Sequence, residues 1–183
     1  MTFYNPEKLE VLFDESTLKA RIQELGAAIT ADYRPEEPLV LVGVLKGSFL
    51  FLADLCREID LPVEIDFLGL SSYGDAEEST GVVRVTQDLS RSIQGKHVIV
   101  VEDIVDTGLT MAYLLENLAT RQPASVKIAS LLHKPARTKV SIPIDYLGFE
   151  IPDRFVIGYG LDSQNILRNL PFIGVNLGDG LPL

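Results

Sequence analysis

Short apolar runs that alternate with helical stretches predict a doubly wound α/β fold, with a mostly parallel sheet and helices packed on it. Three observations carry this reading. Leu39–Val44 is apolar on both faces, as a strand buried in a parallel sheet must be. His97–Val101 reads as a second buried strand. Stretches with helical spacing separate such runs, and polar residues gather just after them, where open sheets of this kind bind ligands.

Asp14 is placed to cap a helix reaching about Asp32, with Leu18, Ile22, Leu25 and Ile29 striping one face. Pro35 and Pro38 punctuate the chain before the first buried strand. Ser48 can cap a second helix, with Phe49, Leu52, Ala53, Cys56 and Ile59 facing inward. Val63–Leu70 and Val82–Gln87 read as strands. The polar segment SSYGDAEESTG between them is either a solvated hairpin loop or, being long, a functional lid over 71–81. After the strand at His97 comes a helix over about Leu109–Arg121, then strands at Val126–Leu132, Tyr146–Phe149 and Phe155–Gly158.

Composition narrows the function. The chain has 183 residues and is 46% hydrophobic, enough for one well-filled domain over 1–183. Its net charge of −10 opposes non-specific nucleic-acid binding, which needs Lys and Arg to replace phosphate counterions. An anionic substrate must therefore be held locally, by backbone amides, a few cations or a metal. One cysteine, Cys56, excludes an internal disulfide. The first residues lack a basic region followed by an apolar stretch, and no apolar run approaches the roughly 18 residues that span a bilayer. The expectation is a cytoplasmic protein with no membrane partner.

Chemistry concentrates in VIVVEDIVDTGLT, where hydrocarbon gives way to Glu102, Asp103 and Asp106, then to Thr107, Gly108 and Thr110 at a helix start. A helix N-terminus offers unpaired amides and partial positive charge, which suit a phosphate. Gly108 lets the backbone approach closely, and the threonine hydroxyls add donors. The carboxylates repel phosphate and suit ribose hydroxyls, magnesium or a proton to be removed. An acidic helix cap is the plainer alternative, since Asp and Thr are ordinary caps. Other motifs fail. GVLKGS lacks the G-x-x-x-x-G-K-[ST] spacing, no G-x-G-x-x-G follows a strand, and two histidines with one cysteine make no zinc site. His97 and His133 read as structural.

The loop resembles that of the type I phosphoribosyltransferases, and the likeness runs from about Leu39 to Val175. Its markers are VLKGS at Val44–Ser48, SSY at Ser71–Tyr73, VVEDIVDTGLT at Val100–Thr110, SLLHKP at Ser130–Pro135 and GFEIPDRFVIGYGLD at Gly148–Asp162. The last two are similar to the branch that acts on 6-oxopurines. The resemblance implies the fold of that family, with a small hood built from the N-terminal segment and about 134–183. It also implies transfer of ribose 5-phosphate from 5-phosphoribosyl 1-pyrophosphate to N9 of hypoxanthine or guanine, with Mg2+ and a homodimer or homotetramer.

Residue by residue, the resemblance puts Glu102 and Asp103 near the ribose hydroxyls and the magnesium. Ile104 and Val105 line the same loop, and Asp106 stands beside N7 as general base or stabiliser. Thr107, Gly108, Leu109 and Thr110 wrap the 5-phosphate. Lys46 and Gly47 match a pyrophosphate loop in which a cis peptide precedes the lysine; otherwise Lys46 is a solvated lysine after a strand. Arg168 also reaches pyrophosphate, and Asp162 holds a second magnesium. Phe155 stacks on the purine, Val156 meets its edge through the backbone, and Lys134 donates to O6. Ser72 and Tyr73 begin the lid. Taken alone, Phe155 reads as core, Arg168 and Lys134 as solvated cations, and Asp162 as a turn residue. Leu109 departs from relatives with lysine there, which removes a side-chain donor but leaves the backbone cradle. Two other functions compete: a preference for xanthine or guanine, and a nucleotide-sensing regulator of the same fold that binds RNA. The net charge and the presence of Lys46, Asp106, Lys134 and Asp162 weigh against the regulator.

Overall fold

The structure, a computed structural model, describes residues 4–72, 83–178 and 181–182. In chain order the elements are β1 (Leu9–Phe13), α1 (Glu15–Asp32), β2 (Leu39–Leu45), α2 (Phe49–Arg57), β3 (Val63–Ser72), β4 (Val83–Gln87) and β5 (His97–Val105). They continue with α3 (Leu109–Ala119), β6 (Ser125–His133), β7 (Tyr146–Glu150), β8 (Val156–Ile157) and β9 (Ile173–Asn176). Six strands form the main sheet in the order β4-β3-β2-β5-β6-β7. All its neighbours pair parallel except β4, which runs antiparallel to β3 at one edge.

Period-two alternation builds the layers. Leu39, Leu41, Ile99 and Val101 pack with α1 and α2 through Leu18, Ile22, Leu25, Ile29, Phe51, Leu52 and Leu55. Val40, Val42, Val44, Val98 and Val100 face the other way, onto Met111, Leu114 and Leu118 of α3. The chain doubles back at β2: β3 lies on one side of it and β5, β6 and β7 follow on the other. The carboxyl ends of β2 and β5 therefore flank the reversal in strand order, where such sheets open a crevice.

The hood is a separate sheet, β1-β9-β8, antiparallel throughout, that joins the start of the chain to its end through Leu9↔Asn176 and Val156↔Val175. Val156, Ile173 and Val175 pack into the same core as the main sheet. Within 134–183, β7 belongs to the main sheet and not to the hood, because it pairs parallel with β6.

Several local expectations are corrected. Asp14 does cap α1, accepting from the Thr17 amide at 2.8 Å. Ser48 precedes α2 but makes no side-chain cap; its buried hydroxyl donates back to the Val44 carbonyl at 2.7 Å, a local bond that competes with capping. The inner face of α2 is Phe51, Leu52 and Leu55, while Phe49 is 39% exposed, Ala53 is exposed, and Ile59 lies beyond the helix end. Helix α3 stops at Ala119, short of Arg121. The strand expected at Phe155–Gly158 is only Val156–Ile157, and Phe155 is 62% exposed, so it is not core. β1 and β9 have no counterpart among the expected strands. The expected hairpin exists, since Ser72 pairs with Val83, but Tyr73 and the rest of the 71–81 lid beyond Ser72 fall outside the described residues.

Candidate active site

Every expected site residue within the described set lies at the carboxyl end of the main sheet or on the hood side of it. β5 runs further than expected, to Val105, so Glu102 and Asp103 project from the last part of a strand and not from a loop. Glu102 pairs with Ser130 and Val105 with His133 of β6. This pairing holds the two carboxylates on rigid backbone.

Three segments interlock around Asp103. The Leu45–Lys46 peptide is cis, and Gly47 follows against the Asp103 carboxylate. A Cβ at Gly47 would stand 1.6 Å from Asp103 Oδ2, so only glycine fits. Gly160, with φ of 99°, comes so close to the Gly47 carbonyl that a Cβ there would stand 2.0 Å from it. Asp162 and Arg168 follow: Arg168 Nη2 lies 2.5 Å from Asp162 Oδ1, and its Nη1 donates to the Gly160 carbonyl at 2.7 Å. Gly47 and the Asp162–Arg168 pair, over a hundred positions apart in sequence, thus meet through Gly160.

Electrostatically the carboxylates are under stress. Glu102 is held well above the usual carboxylate range by burial and by the neighbouring Asp103 charge, and its buried Oε2 has no hydrogen-bond partner among the described residues. Burial raises Asp103 to about 6, opposed by backbone amides and by Arg168, and assisted by Asp162. Among the described residues no three His, Cys, Asp or Glu side chains converge as a self-sufficient metal cage.

The turn from Asp106 to Thr110 leads into α3 and lines a cavity of about 80 Å3 together with Glu102 and Met111. Gly108 is the residue before the helix, with φ of 81°, a conformation that glycine adopts without strain. A Cβ there would also strike the Val140 carbonyl at 2.1 Å. The amides of Lys139 and Val140 donate to the Thr107 carbonyl at 2.9 and 3.0 Å, tying the turn to the segment after β6. Thr107 Oγ1 accepts from the Leu109 amide at 3.4 Å, and Thr110 lies in the first turn of α3.

Lys134 sits just past β6, only 7% exposed, and its amide donates to the Val105 carbonyl at 3.0 Å. A buried ammonium needs a partner, and Nζ finds Asp153 Oδ1 at 3.6 Å. Phe155 stands two residues beyond Asp153, a large aromatic left open, while Val156 is buried in β8. His97 and His133 are structural: His97 Nδ1 bonds Ser125 Oγ at 2.7 Å, and His133 Nε2 lies 3.3 Å from Thr138 Oγ1.

Sequence reasoning missed Arg137 and Asp153. Arg137 Nε lies 3.1 Å from Asp106 Oδ1, and its Nη1 lies 3.7 Å from Asp153 Oδ1. The available signal was the spacing of two cations three residues apart in KPAR directly after a strand.

A mostly parallel sheet, a glycine turn into α3, a cis peptide at Leu45–Lys46 and buried carboxylates on β5 are the frame in which the family match falls. Residues 10–164 match the phosphoribosyl transferase domain, and the chain belongs to that family. Within it, the chain is 50% identical over 168 residues to a hypoxanthine phosphoribosyltransferase of Haemophilus influenzae, covering 91% of this chain and 94% of that one. It is also 50% identical to a hypoxanthine-guanine phosphoribosyltransferase of Dictyostelium discoideum, over 90% of this chain and 93% of the relative. Among solved structures, a hypoxanthine phosphoribosyltransferase from Staphylococcus aureus superposes with a TM-score of 0.89 at 46% identity, covering 93% of this chain and 92% of that one. A Trypanosoma cruzi hypoxanthine phosphoribosyl transferase, studied for the role of its C-terminal region in oligomeric state and activity, gives 0.88 at 44% identity over 96% and 93%.

Proposed function

We propose that this chain is a purine-salvage enzyme that transfers the 5-phosphoribosyl group of 5-phosphoribosyl 1-pyrophosphate to N9 of hypoxanthine, and of guanine, releasing pyrophosphate. The observation that carries the reading is the gathering of Lys46, Glu102–Thr110, Lys134 and Arg168 at one end of the sheet, in a chain half identical to enzymes named for that reaction.

Each role follows from local chemistry. The α3 N-terminus and the Thr107–Thr110 backbone hold the 5-phosphate. Lys46 and Arg168 neutralise pyrophosphate. The bond from the anomeric carbon to pyrophosphate breaks and the bond to N9 forms, through a ribose with oxocarbenium character. Asp106 takes the proton from N7 as the base attacks through N9. Phe155 stacks on the purine, and Lys134 donates to its O6.

Magnesium fits the carboxylates. Glu102 has a buried oxygen without a partner among the described residues, and both Glu102 and Asp103 are held up by burial, a condition that a divalent cation relieves. Magnesium is commonly held by one or two carboxylates plus substrate phosphates, so no protein-only cage is required. Glu102, Asp103 and Asp162 would hold it, and it would supply charge neutralisation of the departing pyrophosphate.

The proposal includes a cytoplasmic homo-oligomer, dimer or tetramer, which sedimentation measures. The deciding experiment is pyrophosphate release from 5-phosphoribosyl 1-pyrophosphate with hypoxanthine, guanine, xanthine and adenine. Turnover with the first two, abolished by stripping divalent metal and restored by magnesium, is the expected result. Full turnover in excess chelator removes magnesium from the reading. RNA binding that resists salt, with no turnover, would support the regulator instead.

A further inference from the structure

Two cations leave the end of β6 together. Lys134 opens the 3-10 turn Pro135–Arg137, and the Arg137 amide donates to the Lys134 carbonyl at 3.1 Å. With three residues per turn, side chains at i and i+3 eclipse. Lys134 and Arg137 therefore emerge on one side, and both reach the same oxygen, Asp153 Oδ1, at 3.6 and 3.7 Å. Arg137 also sets Nε 3.1 Å from Asp106 Oδ1. That oxygen is buried and meets no aligned hydrogen-bond donor among the described residues. The guanidinium thus acts on it as a nearby charge. The four groups form one line: Lys134, Asp153, Arg137, Asp106.

We propose that Arg137 is a positioning residue for Asp106, a role that rests on Asp106 being the proton acceptor of the proposed function. With its Nε 3.1 Å from Asp106 Oδ1, the Arg137 guanidinium holds that carboxylate in place before the purine arrives. Asp153 divides itself between Arg137 and Lys134. When Lys134 donates to the carbonyl oxygen of a purine, Asp153 is left to Arg137. The guanidinium then loosens its hold on Asp106, and that carboxylate is free to accept the N7 proton. Reading of the base and removal of its proton are linked through Asp153 and Arg137.

Arg137 is 46% exposed, so replacing it is compatible with folding, which a thermal melt checks. The experiment compares Arg137→Gln with the parent protein in two backgrounds, unmodified and Asp106→Asn, using hypoxanthine. In the unmodified background kcat falls roughly fivefold, the upper end for a pair half open to water, with KM for the phosphoribosyl donor unchanged. In the Asp106→Asn background Arg137→Gln has no further effect, because its target is gone. Arg137→Lys restores at least half of the lost kcat, and it carries the same two-background comparison should Arg137→Gln not fold. Equal losses in both backgrounds, or no loss in either, overturn the inference. Asp106→Asn alone tests the underlying reading: full activity in that variant removes Asp106 from the chemistry, whereas a deep loss there with additive Arg137 effects overturns only the role of Arg137.

Discussion

Asp32 and Asp103 are carboxylates at opposite ends of the same sheet, and their surroundings push them in opposite directions. At the amino end Asp32 accepts from Lys127 Nζ at 2.7 Å and from Tyr146 OH at 2.6 Å. Those bonds, the Lys127 one foremost, hold it below the usual carboxylate range, and Lys127 is raised in turn. The Lys127 ammonium also lies 5.2 Å from the ring centres of Tyr33 and Tyr146. At the carboxyl end burial raises Asp103 to about 6 and holds Glu102 well above the usual carboxylate range, and Glu102 Oε2 has no hydrogen-bond partner among the described residues. The amino end is arranged for the free protein. At the carboxyl end burial holds the carboxylates up, and on the proposed reading that is the working end of the fold.

The largest expected effect at the working end is base selection. On the proposed reading Lys134 donates to O6 and would face an amino group when adenine enters, so kcat/KM for adenine should lie about 10⁴-fold below that for hypoxanthine. Lys134→Ala should lose activity toward hypoxanthine and narrow that ratio, while donor KM changes little. Steady-state kinetics of both bases in both proteins check this, and an unchanged ratio takes Lys134 out of base reading.

Next in size, Asp106→Asn keeps the shape but cannot take a proton, so kcat should drop by about 10² to 10⁴ with nucleotide binding largely kept. A kcat within twofold of the parent protein would break the contrast between the two ends.

The third prediction concerns stability. Because the folded Asp103 has its pKa raised from 3.8 to about 6, the native state holds its proton more tightly than the unfolded chain does. Its contribution to stability therefore falls as pH rises from about 4 to 6, whereas that of Asp32 is present above its unfolded pKa and lost as pH falls through the lowered folded value. Asp103→Asn should stabilise the metal-free protein at pH 7 by on the order of 2 kcal/mol, and much less at pH 4. Urea melts at the two pH values measure it. A stabilisation equal at both would mean that packing against Gly47, and not charge, sets the cost.

Smallest, Tyr146→Phe at the amino end removes one hydroxyl donor to Asp32. It should cost about 1 kcal/mol, or about 2 to 4 °C in Tm, and leave kcat and KM within twofold. A kinetic effect larger than the stability effect would show that the amino end is not merely structural.

Much of this was legible from the chain alone, for a physical reason. β2, β5 and β6 are buried on both faces, so their hydrocarbon runs are local signals, and the turn into α3 announces itself within nine residues. β1 and β9 were invisible because LEVLF and IGVN acquire strand character only through long-range pairing, β1 with β9 across nearly the whole chain and β9 with β8. Ser48 misled because its hydroxyl had a nearer acceptor. Phe155 looked like core, and only the fold shows it exposed, two residues beyond the Asp153 that pairs with Lys134. Arg137 and Asp153 were missed because their partners lie 31 positions or fewer away in sequence but on different elements, and no periodicity records that.

The tie between Thr107 and the segment after β6 makes that segment a ruler. One end is Lys134, which on the proposed reading touches the base; the other is Lys139 and Val140, whose amides clasp the turn that on the same reading holds the phosphate. The span between them is set by covalent chain, including the short 3-10 turn Pro135–Arg137. On that reading, a residue inserted between Pro135 and Lys139 would put the grip on Lys134 and the grip on Thr107 in conflict, and one of the two would have to give.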